Sequence, residues 1–180
     1  MTRKPEDVFE SGGALRLLAA LHAEVAAAAQ VLALRHADRL QCRRGCHGCC
    51  VDDLTVTRVE AERIRRAHPA LLAEGAPHPL GACAFLDAEG ACRIYAERPL
   101  VCRSQGLPLQ IHFEDEAGEL EERRDICPLN LENGPPLEAL PEDALWLVGV
   151  HELRLTAIDE AAGGSDETRV ALRELFAREA

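Results

Sequence analysis

The chain has 180 residues, 47% of them hydrophobic and 28% charged, with a net charge of -11. That length and balance exclude a disordered chain and point to one soluble domain with a buried core. The charge excludes long-range attraction to nucleic acid and to anionic membranes. It is unevenly placed: residues 1–110 carry 14 basic and 13 acidic side chains, whereas 111–180 carry 6 and 18. The acidic half reads as a solvated surface, with a docking face for a protein partner as the alternative. Aromatics are 3% of the chain, so Leu, Ala and Val must fill the interior. Lys4 is the only lysine, which we read as a codon bias.

In chain order, residues 1–12 read as a loose tail ending at Ser11-Gly12-Gly13. One long helix is predicted over 14–39, because Leu15, Leu18, Leu21, Val25, Leu32 and Leu40 fall near helical spacing and the alanines between them favour helix. The run is apolar enough to raise the question of a signal peptide. However, Glu6, Asp7 and Glu10 stand where a basic flank belongs, and His22, Glu24 and Gln30 interrupt the run, too often for a membrane span. The expected compartment is therefore the cytoplasm, where thiols stay reduced. Thr57-Arg58-Val59-Glu60 is a capping box, so a helix should run from Arg58 to about Ala67 and stop before His68-Pro69. Pro77, Pro79 and Gly81 mark a linker.

Residues 83–94 suggest a hairpin turning at Asp87-Ala88-Glu89-Gly90. Leu109, Ile111 and Phe113 alternate with polar neighbours as in a half-buried strand, with a turn over Glu114 to Gly118 and a return through Leu120 to Ile126. Asn133-Gly134-Pro135-Pro136 is a second linker. A helix should begin at Pro141-Glu142-Asp143 and run to about Ala162, stopped by Gly163-Gly164. A last helix is expected from Ser165 or Asp166 to the C-terminus. The predicted fold class is α+β, helix-dominated, with small β-hairpins and irregular cysteine-rich loops between N- and C-terminal helices.

The chemistry lies in the eight cysteines. Cys42, Cys46, Cys49 and Cys50 fall within nine residues, separated by Gly45 and Gly48. Such spacing lets a tight loop turn its sulfurs onto one metal centre, and the glycines permit the left-handed backbone this needs. Arg43 and Arg44 could lower thiolate pKa values there. Cys83, Cys92, Cys102 and Cys127 follow, so eight sulfurs suit two four-ligand sites or one cluster plus spare thiols. Neighbouring side chains point apart in most backbone conformations. Cys49 and Cys50 are therefore expected to serve two nearby centres, or one of them to be a core thiol. Cys127 is the weakest candidate ligand, and His47 reads as a surface residue beside the ligands. His22, His36, His68, His78, His112 and His151 show no ligand spacing.

These blocks resemble the CxxCxxCC-type family of zinc- or iron-chelating domains, also labelled YkgJ-family cysteine cluster proteins. The first block is Cys42 to Cys50. The second is Cys83-Ala-Phe-Leu-Asp-Ala-Glu-Gly-Ala-Cys92-Arg-Ile-Tyr95, and the third is Glu97-Arg98-Pro99-Leu-Val-Cys102-Arg103. With Cys127-Pro128 they cover roughly residues 42–128. The resemblance implies a metal site on these cysteines, and no settled reaction or metal. Arg98 and Arg103 flank Cys102, where arginine can donate to sulfur and balance its charge, or simply pair with a carboxylate.

We thus read a single domain, 1–180: an N-terminal helix (14–40), a cysteine-cluster metal-binding core (42–128) and C-terminal helices (137–180). The expected ligand is a metal ion, Zn2+ or iron, including an iron–sulfur cluster. Cys42, Cys46 and Cys49 have the C-x3-C-x2-C spacing of radical S-adenosylmethionine enzymes, but the motif follows a helix and no repeated βα pattern accompanies it. A zinc hydrolase would need a His-Glu motif and a general base that the chain does not show. Without a catalytic motif the protein reads as a metal-binding domain rather than an enzyme on its own. Only Cys46–Cys49 has the CxxC spacing that structural zinc prefers, which tilts the reading toward iron. The core 42–128 is expected to need its metal to fold, since few large apolar residues are available within it.

Overall fold

The computed structural model describes residues 12–176, so the tail read over 1–11 and the final four residues lie outside the described chain. Helix accounts for 45% and strand for 12%, which makes the fold helix-dominated α+β, as the sequence predicts. The four α-helices among the described residues are α1 (Gly13–Arg35), α2 (Arg58–Ala67), α3 (Pro69–Glu74) and α4 (Val150–Ala161). The strands are β1 (Thr55–Val56), β2 (Leu109–Glu114), β3 (Leu120–Asp125), β4 (Trp146–Leu147) and β5 (Val170–Ala171). Residues group into two compact units. One comprises 12–21, 43–99 and 154–176; the other comprises 22–42 and 100–153. By length and composition α1 is apolar enough to cross a membrane; Leu18, Leu21 and Val25 along it are buried.

In the first unit α2 begins as its capping box dictates. The Thr57 hydroxyl accepts the Glu60 amide at 3.4 Å, and the Glu60 carboxylate accepts the Thr57 amide at 3.4 Å. A second acid helps from far along the chain: Asp159 of α4 accepts the Val59 amide at 2.8 Å. The helix stops before Pro69, which opens the short α3. Val56, Ala61, Ile64, Ala84, Phe85 and Ile94 form a core with Leu172, Leu175 and Phe176. The rings of Phe85 and Phe176 lie 4.9 Å apart. Burying Phe85 completely contributes about 2–3 kcal/mol. Leu172, Leu175 and Phe176 thus complete a core that residues 56–94 begin.

The last helix expected from Ser165 or Asp166 is not formed over the described residues to 176. Asp166–Thr168 make one 3-10 turn, Val170–Ala171 pair antiparallel with Thr55–Val56, and Leu172–Phe176 make another 3-10 turn. Pairing with β1 satisfies the backbone that helix would otherwise satisfy internally. Likewise, the 83–94 hairpin shrinks to one bridge between Leu86 and Cys92. Its turn is held by the Asp87 carboxylate, which accepts the Glu89 and Ala91 amides at 3.0 and 2.7 Å.

In the second unit β2 and β3 form the expected hairpin, in register from Leu109↔Asp125 to Glu114↔Leu120. Alternation does not sort its faces cleanly: Phe113 is exposed while Gln110 is buried and donates to the Glu122 carboxylate at 2.7 Å. β4 joins the other edge of β2 in parallel, pairing Leu109↔Trp146 and Gln110↔Leu147. This corrects the helix expected over 141–162. That stretch is a 3-10 turn (Glu142–Ala144), then β4, and only then α4. The Trp146 and Val148 amides donate to Pro108 and Gln110 carbonyls, and Gly149 at φ +110° breaks the chain before α4. Ile126, Leu137, Leu140, Ala144 and Leu145 form this unit's core. α1 ends at Arg35 rather than 39, and the chain beyond it tightens into turns in which the Arg39 and Leu40 amides both donate to the His36 carbonyl. His36 Nε2 donates to the Ala144 carbonyl at 2.8 Å, and the Arg39 guanidinium donates to the Pro135 carbonyl.

Candidate functional site

All eight cysteines are free thiols, each exposed or half-buried. The first unit holds five of them, Cys46, Cys49, Cys50, Cys83 and Cys92. Two successive turns carry the first three: the Cys46 amide donates to Arg43 O and the Cys50 amide to His47 O, both at 2.9 Å. Gly45 takes φ +83° within the first of them. The next segment is attached directly, since the Cys83 amide donates to the Cys50 carbonyl at 2.9 Å. Cys92 then returns to face Leu86 across the bridge. Gly90 completes the packing: a Cβ there would meet His47 Nδ1 at 2.6 Å, so only glycine lets the Asp87–Gly90 turn lie on the first loop. His47 Nδ1 donates to the Gly45 carbonyl at 2.9 Å.

Electrostatics separate these thiols. The side chain of Cys50 hydrogen-bonds to Cys49 and, with a smaller contribution from His47, lowers the Cys49 pKa to about 6. Burial pushes the Cys83 and Cys92 thiols up, and the negative charge of Cys83 adds to the rise at Cys92. Arg98 and Arg93 pull Cys92 the other way. Arg98 therefore works near Cys92, lying over the exposed ring of Tyr95 at 4.0 Å and donating to the Tyr95 carbonyl at 3.0 Å.

The second unit holds Cys42, Cys102 and Cys127. Asn130, fully buried, organises two of them. Its Oδ1 accepts the Gln41 amide at 2.8 Å; its Nδ2 donates to Gly106 O at 2.8 Å and lies 3.6 Å from Cys42 Sγ. Its backbone amide donates to the Cys127 carbonyl at 2.8 Å. Gly106, at φ +94°, leaves room for the sulfur, because a Cβ there would come within 2.5 Å of Cys42 Sγ. Cys102 ends the 3-10 turn Leu100–Cys102. Arg103, next to it, donates to His22 Nδ1 at 3.1 Å.

Three of the remaining histidines have side-chain partners of their own. His68 pairs with Glu97 at 2.9 Å, His112 with Glu122 at 3.6 Å, and His151 stacks on Trp146. Sequence reasoning missed Asn130 and Arg173, the latter an ion-pair partner of Asp52 beside Cys50. The only local signal was the position of Asn130 three residues after Cys127.

Among the described residues no three His, Cys, Asp or Glu side chains stand together as a group able to hold an ion. The donor chemistry nevertheless fits zinc or iron: reduced, reachable thiols on glycine-hinged loops, one of them ionised near neutral pH. Residues 41–128 match one family model, CxxCxxCC, described as "Putative zinc- or iron-chelating domain". No curated protein and no solved structure gives a significant match to the chain.

Proposed function

We propose that the chain, whose residues 41–128 match the CxxCxxCC family model, chelates zinc or iron through cysteine thiolates. The ligand pool is Cys42, Cys46, Cys49, Cys50, Cys83, Cys92, Cys102 and Cys127. One observation carries this reading: the Cys83 amide on the Cys50 carbonyl joins cysteine segments 33 residues apart, beside the hydrogen-bonded Cys49–Cys50 pair. When bound, the ion would supply positive charge that the raised thiols Cys83 and Cys92 need in order to ionise. The side chains of Arg93 and Arg98 offset part of the resulting negative charge. The setting we propose is the cytoplasm, where eight thiols persist unpaired.

A second reading is an iron–sulfur protein with a redox or S-adenosylmethionine-linked role. The amide of Asn130 beside Cys42 favours it, since N–H donors to sulfur raise cluster potentials. Metal analysis of anaerobically purified protein decides between them. Colourless protein with stoichiometric zinc supports plain chelation; iron, sulfide and an absorption band near about 400 nm support the cluster. Protein that retains neither metal after anaerobic purification and direct reloading would refute both.

A further inference from the structure

Arg173 lies outside the family segment, yet its guanidinium serves the cysteine loops of the first unit. Nη2 reaches both carboxylate oxygens of Asp52 at 2.8 Å, and Nε reaches Oδ1 at 3.1 Å. Nη1 donates to the His78 carbonyl at 2.6 Å and Nη2 to the Ala82 carbonyl at 3.0 Å. Asp52 Oδ2 in turn accepts the Gly81 amide at 2.9 Å. Asp52 follows Cys50 by two residues, and Ala82 directly precedes Cys83. One side chain thus ties the Cys50 segment to the Cys83 segment.

The clamp is shielded and anchored. Only 25% of the Arg173 side chain and 13% of the Asp52 side chain are exposed, unlike the open pairs that contribute little. On either side of Arg173, Leu172 and Leu175 are buried in the core, and the Leu172 amide donates to Leu54 O at 2.9 Å. Arginine suits the task because its planar fork serves a carboxylate and two carbonyls at once, which an ammonium group cannot.

We propose that Arg173 is a positioning residue for the metal site, holding the Cys50 and Cys83 segments in register so that both sulfurs can reach one ion. This rests on the thiolate-chelation reading above, and it makes the C-terminal segment part of the site. The test measures release of Zn2+ from zinc-loaded protein to a chromophoric chelator, for wild type, Arg173→Ala, Arg173→Lys and Arg169→Ala. Arg169 sits on the same segment but donates to Thr55, so it controls for simple loss of C-terminal packing. Arg173→Ala should release zinc about 10- to 100-fold faster. Arg173→Lys should recover part of the loss, and Arg169→Ala should match wild type. Where Arg173→Ala does not fold, the lysine variant carries the comparison. A parallel arm alkylates metal-free protein: Cys50 and Cys83 should react faster in Arg173→Lys, while Cys102 and Cys127 do not. Unchanged release in both Arg173 variants, or a uniform rise at every thiol, would overturn the proposal. If wild type binds no zinc, the chelation reading is what fails, and the alkylation arm alone then judges the clamp.

Discussion

The side-chain amide of Asn130 stands 3.6 Å from the sulfur of Cys42, across 88 residues of sequence. The same side chain binds Gln41 N and Gly106 O, so its orientation is fixed by two stronger bonds before the sulfur is considered. An N–H held in place beside a thiolate stabilises its negative charge and sets its direction. Replacing Asn130 by Ala should therefore cost about 1–3 kcal/mol, because the buried Gly106 carbonyl and the part-buried Gln41 amide lose their partner. It should also weaken metal retention about 10- to 100-fold. Thermal denaturation of metal-free protein and chelator competition on loaded protein separate the two effects. Equal retention in Asn130→Ala would show that the amide is structural only.

Gly106 offers a test of the same corner from the other side. Its φ of +94° and its distance of 2.5 Å from a would-be Cβ to Cys42 Sγ both oppose a side chain. Gly106→Ala should cost about 1–2 kcal/mol from backbone strain alone. The sulfur must also move, so metal content should fall in proportion to the ligand lost. Full metal content in a folded Gly106→Ala protein would mean that Cys42 is not a ligand.

Reactivity against pH reads the Cys49–Cys50 pair. In metal-free protein, alkylation at Cys49 should rise with a midpoint of about 6, since the Cys50 hydrogen bond favours the thiolate. The thiolate's contribution to stability is fully present above the unfolded pKa of about 8.5 and fades as pH falls through the folded value. Cys83 and Cys92 should react only at higher pH, because burial opposes their charge. Cys50→Ala should return the Cys49 midpoint upward. Peptide-resolved mass spectrometry measures all of these, and a Cys49 midpoint indifferent to Cys50→Ala counts against the pairing.

Metal removal should loosen the cysteine loops without unfolding the chain. The first unit has its own core around Phe85, Ile64 and Phe176, and the second has one around Ile126 and Leu145. Hydrogen exchange should accordingly rise most across 42–53 and 79–93, with α2 and the β2–β3 hairpin changing least. Chelation followed by exchange mass spectrometry gives the profile. Cooperative loss of protection over all of 42–128 would restore the view that the metal is required for that core.

Much of the local structure was legible because it depends on neighbours in sequence. The Thr57–Glu60 box starts α2 with side chains three residues apart, and the β2–β3 hairpin closes through Asp115 and Gly118 at its own turn. The cysteine spacing likewise carried the match of residues 41–128 to a chelating-domain family. The misread stretches share one cause. Residues 141–149 and 165–176 have compositions that allow helix, but their backbone groups found partners in β2 and β1, far away in the chain.

By itself, the sequence determined the chemistry available: eight cysteines, the glycines that let their loops turn, and the helix and hairpin that frame them. Tertiary structure alone decided which distant side chains serve them, Asn130 for Cys42 and Arg173 for the Cys50 and Cys83 segments. The reason is physical. Thiol chemistry and turn geometry are properties of a residue and its near neighbours. A buried amide or guanidinium acquires its role only when folding removes water and leaves one set of partners within reach.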